Sequence, residues 1–187
     1  LAASVLHARP RCSEALRYVL VEQSAALRER ASELLGDRVQ VRPTLGDGAI
    51  RGVVLANELL DNLPVRIVER HGGVWSEVHV DIDEQGAHEA LVPLPADEVE
   101  RVVPEAVRRA ADQAGDGRYP IQERAARWVE RTLDSISEGR LLCIDYGVRT
   151  TAELAERTWL RTYSGHDRGD DPYEDPMGRD ITVDVTV

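Results

Sequence analysis

The stretch Gly52-Val53-Val54-Leu55-Ala56-Asn57-Glu58-Leu59-Leu60-Asp61-Asn62-Leu63-Pro64 constrains this chain more than any other. Val53 to Ala56 is a continuous apolar run, the pattern of a strand buried on both faces, as in parallel sheets. The run breaks abruptly into Asn57, Glu58 and Asp61, and Pro64 closes it. In an open α/β sheet, ligands bind in the crevice outside the carboxyl ends of the strands. Polar residues at that boundary are therefore the first candidates for chemistry. A purely local role, in which Asn57 and Asp61 cap or turn the chain, stands beside that reading.

The flanking pattern predicts an α/β fold. A helix is expected from Leu1 to Ala8, ended by Pro10. The run Leu16 to Val21 then finishes on Glu22. Ser24 stands as an N-cap before Leu27, Ala31, Leu34 and Leu35 at helical spacing, and Gly36 supplies the stop. Val39 and Val41 alternate in a short strand, and a Gly-rich loop covers Leu45 to Arg51. Helix, strand, helix, strand, strand is the order of a doubly wound fold.

From Val65 the texture changes. Val65, Ile67 and Val68 precede a His71-Gly72-Gly73 turn. Trp75, Val78, Val80 and Ile82 alternate, a second turn sits at Glu84-Gln85-Gly86, and Ala90 to Leu94 forms a third strand. This reads as an antiparallel β meander inserted over residues 65–96. Asp97 to Ala111 is expected to be helical, kinked or divided by Pro104, with a loop from Asp112 to Tyr119. Ile121 to Ile136 carries apolar residues three and four apart, with Pro120 at the start and Gly139 as the stop. Leu141 to Ile144 is a second buried strand, ending on Asp145-Tyr146-Gly147. A short helix over Thr151 to Arg157, an extended Trp159 to Tyr163, and a polar loop over 164–179 holding His166 follow. Neither a repeat nor a linker divides the chain, so one domain over 1–187 is expected.

The 187 residues carry a formal net charge of -11. That argues against sequence-independent nucleic-acid binding, which needs Lys and Arg against phosphates, and is compatible with a cationic substrate. Aromatics are 4% of the chain, with no Phe, so the core must rest on Leu, Val, Ile and Ala. No apolar run approaches the roughly 20 residues of a membrane span, and no signal-peptide pattern is present. Cys12, at a helix end, and Cys143, in a buried strand, lack partners at metal-ligand spacing. No metal site is expected, and both thiols read as reduced residues of a cytoplasmic protein.

Three strands end on a carboxylate or amide: Glu22, Asn57-Glu58 and Asp145. On a parallel sheet those ends share one rim and converge on one crevice. The acid closing the second strand of a nucleotide-binding α/β half can accept both hydroxyls of a ribose, and Glu22 fits that position.

Ala56 to Val65 resembles the "NE-x-x-D-A-x-P" signature of the MidA-like methyltransferases. Leu141 to Gly147 is similar to their "L-L-x-I-D-Y-G", Gly178 to Val185 to "G-x-x-D-I-T-x-x-V-D-F", and Tyr18 to Ser24 to "Y-x-I-V-E-x-S". Four matches in order span most of the chain. The resemblance implies a Rossmann-like class I sheet with helices on both faces and S-adenosylmethionine as cofactor. It implies Glu22, Gln23 and Asn57 as cofactor contacts. Asn62 replaces the usual Ala. The aspartate expected beside the adenine is not evident around Pro43-Thr44, and Asp47 stands in for it. The family's glycine-rich loop would fall just before Leu1 and its final strands beyond Val187. The resemblance thus implies a partial domain, whose unpaired strand edges would favour homo-oligomers.

The family includes a mitochondrial complex I assembly factor, which points to an arginine methyl acceptor, in a protein or a small molecule. Carboxylates would grip its guanidinium. Glu58 and Asp61, three apart and so on one face of a helical turn, are the leading catalytic candidates. His166 is a third, as a substrate contact or proton acceptor. Asp145 and Tyr146 are expected to line the acceptor side, and Asp180 and Thr182 to cap a following helix. The meander reads as a wall or lid over the acceptor, or as a plain surface hairpin. Two other classes share these residues: a non-catalytic assembly or binding factor, and a nicotinamide-dependent oxidoreductase. The latter gives no reason for Asn57-Glu58-x-x-Asp61.

Overall fold

The computed structural model describes residues 1–46, 48–156, 158–176 and 178–186, in two units, Leu1–Ala49 and Ile50–Val187. The first unit holds α1 (Ala2–His7), β1 (Tyr18–Val21), α2 (Ala25–Leu35) and β2 (Val39–Arg42). The two strands pair in parallel, Tyr18 against Val39 through Val21 against Arg42. Ser24 starts α2 because its hydroxyl accepts the Leu27 amide at 3.4 Å, covering one of the donors a helix start leaves open. Leu35 at the far end joins Ala2 and Val39 in a small core, with Leu6, Tyr18, Leu20 and Val41 packed around it.

The second unit runs β3 (Ile50–Asn57), β4 (Arg66–His71), β5 (Val74–Asp83), β6 (Gly86–Pro93), α3 (Ala96–Val102), α4 (Glu105–Ala114), β7 (Gly117–Ile121), α5 (Glu123–Ser135) and β8 (Ile136–Ile144). Short strands β9 (Gly147–Val148), β10 (Leu160–Ser164), β11 (Asp167–Gly169), β12 (Asp180–Val183) and β13 (Val185–Thr186) follow. β3 and β8 pair in parallel, in register from Arg51 against Glu138 to Asn57 against Ile144. Gly52 faces Gly139 in that ladder. A Cβ on Gly139 would collide with the Gly52 carbonyl, so the ladder requires a glycine there.

This pair is not buried on both faces. Val53, Leu55, Leu142 and Ile144 are exposed, and Cys143 is exposed too. Val53 and Leu55 lie opposite Arg140 and Leu142, so side by side they form one face, and no described residue buries it. Cys12 is likewise exposed, and both cysteines are free.

β4, β5, β6 and β7 form an antiparallel sheet in the order β6-β5-β4-β7. The segment 112–119, expected as a loop, therefore ends in a strand. Pro120 lies in β7 opposite Ile67, where an edge strand tolerates a residue without an N–H. α5 accordingly begins after Gln122 rather than at Pro120, and it runs straight into β8, so Gly139 sits in a strand instead of ending the helix. Pro104 divides the preceding helical stretch into α3 and α4. The main core joins Val68 and Trp75 of the sheet, Tyr119 and Ile121 of β7, Val102 and Val107 of the helices, and Leu154, Trp159 and Val183 from later in the chain. The 3-10 turn Thr151–Glu156 supplies Leu154, which is almost fully buried. Part of the polar stretch 164–179 is ordered as the β10–β11 hairpin, with Tyr163 against Arg168.

Candidate functional site

Because β3 and β8 are parallel and in register at Asn57 and Ile144, their carboxyl ends lie side by side. The Glu58 amide adds one more rung, donating to the Ile144 carbonyl at 2.8 Å. There the chain leaves the sheet. Glu58 takes φ +49°, a left-handed backbone that L side chains rarely adopt, and a 3-10 turn over Leu60–Asn62 follows. Leu60 is buried with Ala125 of α5 and Val185, and Leu63, Trp128 and Val129 pack on them. That apolar contact holds the turn against the helix.

Asp145, the residue after β8, ties the turn down. Its Oδ2 accepts the amides of Leu60 at 2.8 Å and Leu59 at 3.2 Å, and its Oδ1 accepts the Tyr146 amide at 3.0 Å. Asn62 closes the other side, its Nδ2 donating to Asp61 Oδ1 at 2.9 Å and to the Glu58 carbonyl at 3.3 Å. Asp61 is 3% exposed. Burial pushes its carboxyl up from 3.8 to about 6, helped by the charge and hydrogen bonding of Asp145 and by the charge of Glu58, while the Asn62 hydrogen bond opposes the rise.

The structure thus gathers Asn57, Glu58, Asp61, Asp145 and Tyr146 at one place. It corrects the expected relation of the two leading carboxylates. Glu58 is exposed and precedes the turn, whereas Asp61 is buried within it, so they do not share the face of a helical turn. Asn57 is exposed at the end of β3.

Tyr146 is exposed, yet its backbone is fixed, since the Val185 amide donates to its carbonyl at 2.9 Å. A Cβ on Gly147 would strike the Val185 carbonyl, so the Gly of the Asp145-Tyr146-Gly147 motif lets β9 and β13 meet. Beneath the Tyr146 ring, 5.6 Å from its centre, lies the Arg161 guanidinium, paired at 2.5 Å with the buried Asp184. Gln122 supports the same segment, donating to the Asp184 carbonyl at 3.0 Å and accepting from Thr186. Sequence reasoning passed over Arg161, Asp184 and Gln122. A charge inside the apolar stretch Trp159 to Tyr163 was the available signal for Arg161.

Asp180 and Thr182 do not cap a helix. They lie in β12, opposite Tyr163 and Arg161 of β10. His166 sits exposed in the turn between β10 and β11.

Glu22 and Gln23 belong to the first unit, just past the carboxyl end of β1. Glu22 Oε1 accepts the Ser24 amide at 2.7 Å, and Arg28 donates to the carbonyls of Glu22 and Gln23. Oε2 of Glu22 enters none of the described hydrogen bonds, which leaves an acceptor of the kind a ribose hydroxyl needs. Asp47 lies outside the described residues. Among the described residues, no group of three or more His, Cys, Asp or Glu is arranged to hold a metal ion, and no helix is long and apolar enough to cross a membrane.

Among curated proteins none matches the chain. The solved structures do. A superfamily member from Burkholderia thailandensis, described as a "likely methyl transferase" and bound to S-adenosyl-homocysteine, superposes with a TM-score of 0.80 at 30% identity, covering 99% of this chain and 49% of that one. A native structure of an uncharacterized superfamily protein from the same organism gives a TM-score of 0.78 at 29% identity, covering 100% and 51%. The chain spans about half the length of these structures. Their likeness supports a class I methyltransferase fold. The family model described as "Putative S-adenosyl-L-methionine-dependent methyltransferase" matches residues 1–187. The chain belongs to this MidA-like family of S-adenosylmethionine-dependent methyltransferases.

Proposed function

We propose that the protein transfers a methyl group from S-adenosylmethionine to a nitrogen acceptor, with an arginine guanidinium as the favoured class. The observation that carries this reading is the knot of carboxylates at the ends of β3 and β8. There Glu58 projects from a fixed backbone, and its carboxylate enters none of the described hydrogen bonds or ion pairs. When bound, the cofactor supplies a methyl group on a positively charged sulfur, open to in-line attack. By the family resemblance, Glu22, Gln23, Asn57 and Asp47 are its candidate contacts.

The chain's work is then positional. Glu58 grips the acceptor's guanidinium through charge-assisted hydrogen bonds and orients one nitrogen toward the methyl carbon. The Tyr146 ring, fixed above Arg161, forms a wall of the acceptor side. Asp61 keeps a negative charge behind Glu58 at neutral pH, and His166 serves as a proton acceptor or substrate contact. Free thiols at Cys12 and Cys143 accord with the cytoplasm as its compartment.

The test is cofactor titration together with transfer of labelled methyl groups onto arginine-containing protein. Glu22→Ala is expected to weaken cofactor binding by roughly 10-fold or more, the scale of one lost hydrogen bond to a polar ligand group. Unchanged affinity would remove Glu22 from the site. Tight cofactor binding without transfer to any acceptor would favour a binding or assembly factor instead.

A further inference from the structure

Asp145 was expected to face the acceptor, but its geometry assigns it elsewhere. A carboxylate offers about four lone-pair positions. Three are taken by the main-chain amides of Leu59, Leu60 and Tyr146. The first two immediately follow Glu58, whose φ of +49° is unfavourable for a side chain with a Cβ. A backbone of that kind persists only where its surroundings over-determine it. Glu58 is held on its own amide by the Ile144 carbonyl, and on its carbonyl by Asn62. Beyond that, the next two amides are drawn toward β8 by Asp145. Without that pull, Leu59 and Leu60 would have no described acceptor, and Glu58 would be free to relax into the right-handed region.

We propose that Asp145 is a positioning residue: by clamping the Leu59 and Leu60 amides it holds Glu58 in its left-handed conformation and so aims the Glu58 carboxylate at the methyl acceptor. The inference rests on the methyl-transfer reading for its catalytic consequence, but not for the clamp itself. It also explains why one strand ends on Asp-Tyr and its neighbour on Asn-Glu. The acid of one strand end is the fastening for the acid of the other. Asp145 is then a fastening rather than a grip on the substrate: three of its lone-pair positions go to the main chain, and it also hydrogen-bonds Asp61.

The test compares Asp145→Ala with Asp145→Asn in the whole protein. Amide hydrogen exchange at Leu59 and Leu60 is read against the amides of β3, alongside kcat, KM for the acceptor and cofactor affinity. Asp145→Ala is expected to speed exchange at Leu59 and Leu60 at least 10-fold while β3 stays protected. It should lower kcat about 100-fold, with cofactor affinity within about threefold of the parent. Asp145→Asn keeps one acceptor oxygen and should recover at least 10-fold of the lost kcat. Unchanged protection at Leu59 and Leu60 in either variant overturns the clamp. So does a rise in acceptor KM alone, the mark of direct substrate contact. Should the Ala variant fail to fold, the Asn variant decides, through exchange at the same two amides at least threefold faster than in the parent. A parent that transfers no methyl group would sink the methyl-transfer reading, while the exchange measurement, which needs no turnover, still judges the clamp.

Discussion

Asp61 and Asp184 are both buried in the larger unit, at 3% and 1% exposure, but in opposite company. Asp184 faces a cation, Arg161, across a short ion pair capped by an aromatic ring. Asp61 faces Asp145 and Glu58, and an amide is its hydrogen-bond donor. The first arrangement compensates a desolvated charge with its opposite and serves architecture, tying β10 to the chain just before β13. The second leaves the charge under strain and raises the proton affinity of Asp61, which is how sites that hold or move cations and protons are built. The difference separates a structural acid, matched by a cation, from a candidate chemical one held among like charges.

Arg161→Ala leaves the Asp184 carboxylate buried without its guanidinium and is expected to destabilise the fold by about 3–5 kcal/mol. Denaturant unfolding checks this, and a loss under about 1 kcal/mol would place Asp184 with Asp61 as an acid that needs no cation.

Asp61→Asn should do the reverse. In the folded chain Asp61 keeps its proton up to about pH 6, against 3.8 for an ordinary aspartate. Between those values the folded state binds more protons than the unfolded one, so stability falls as pH rises through that window. A two-unit rise corresponds to about 3 kcal/mol of cost at neutral pH. The Asn variant is expected to gain stability on that scale at pH 8 and to lose the decline between pH 4 and 7. Melting curves across pH read both.

Glu58→Gln sharpens the chemical side. It keeps shape but removes the exposed charge, and kcat/KM for methyl transfer should drop about 10- to 100-fold, the worth of a charge-assisted hydrogen bond. Melting temperature should move little. The smallest effect is expected where an acid is neither buried nor strained. Glu138 pairs with Arg51 at 2.8 Å, but the two side chains are 72% and 77% exposed. Arg51→Ala should shift stability by less than about 1 kcal/mol, and less still at high salt.

The strands that carry the site were legible because apolar runs ending on polar residues leave a clear trace, as in Val53 to Asn57 and Leu141 to Asp145. Ser24 and Gly36 marked the ends of α2 for equally local reasons, a side-chain acceptor and a left-handed stop. Where the reading failed, pairing between distant segments decided the outcome. Pro120 looks like a helix start until β4 pairs beside it, and Gly139 looks like a helix stop until Gly52 faces it. Asp180 and Thr182 resemble caps, yet β10 recruits them into a ladder. Within the site, residue types were visible but their division of labour was not. That Asp61 is buried, Asp145 turned to backbone and Glu58 exposed depends on a positive φ and three main-chain hydrogen bonds, and no spacing rule encodes either.

The facing glycines Gly52 and Gly139 lie six positions before Glu58 and Asp145, respectively, on their two strands. The Gly52 carbonyl leaves no room for a Cβ at Gly139, so this rung of the ladder needs a glycine there, and a slip by one residue would turn every later side chain to the opposite face. The consequence reaches the far end of both strands: Asp145 meets the amides after Glu58 only if the ladder is indexed at these two glycines. A bulkier residue at Gly139 would disturb the candidate site from some six rungs away, without touching a single atom of it.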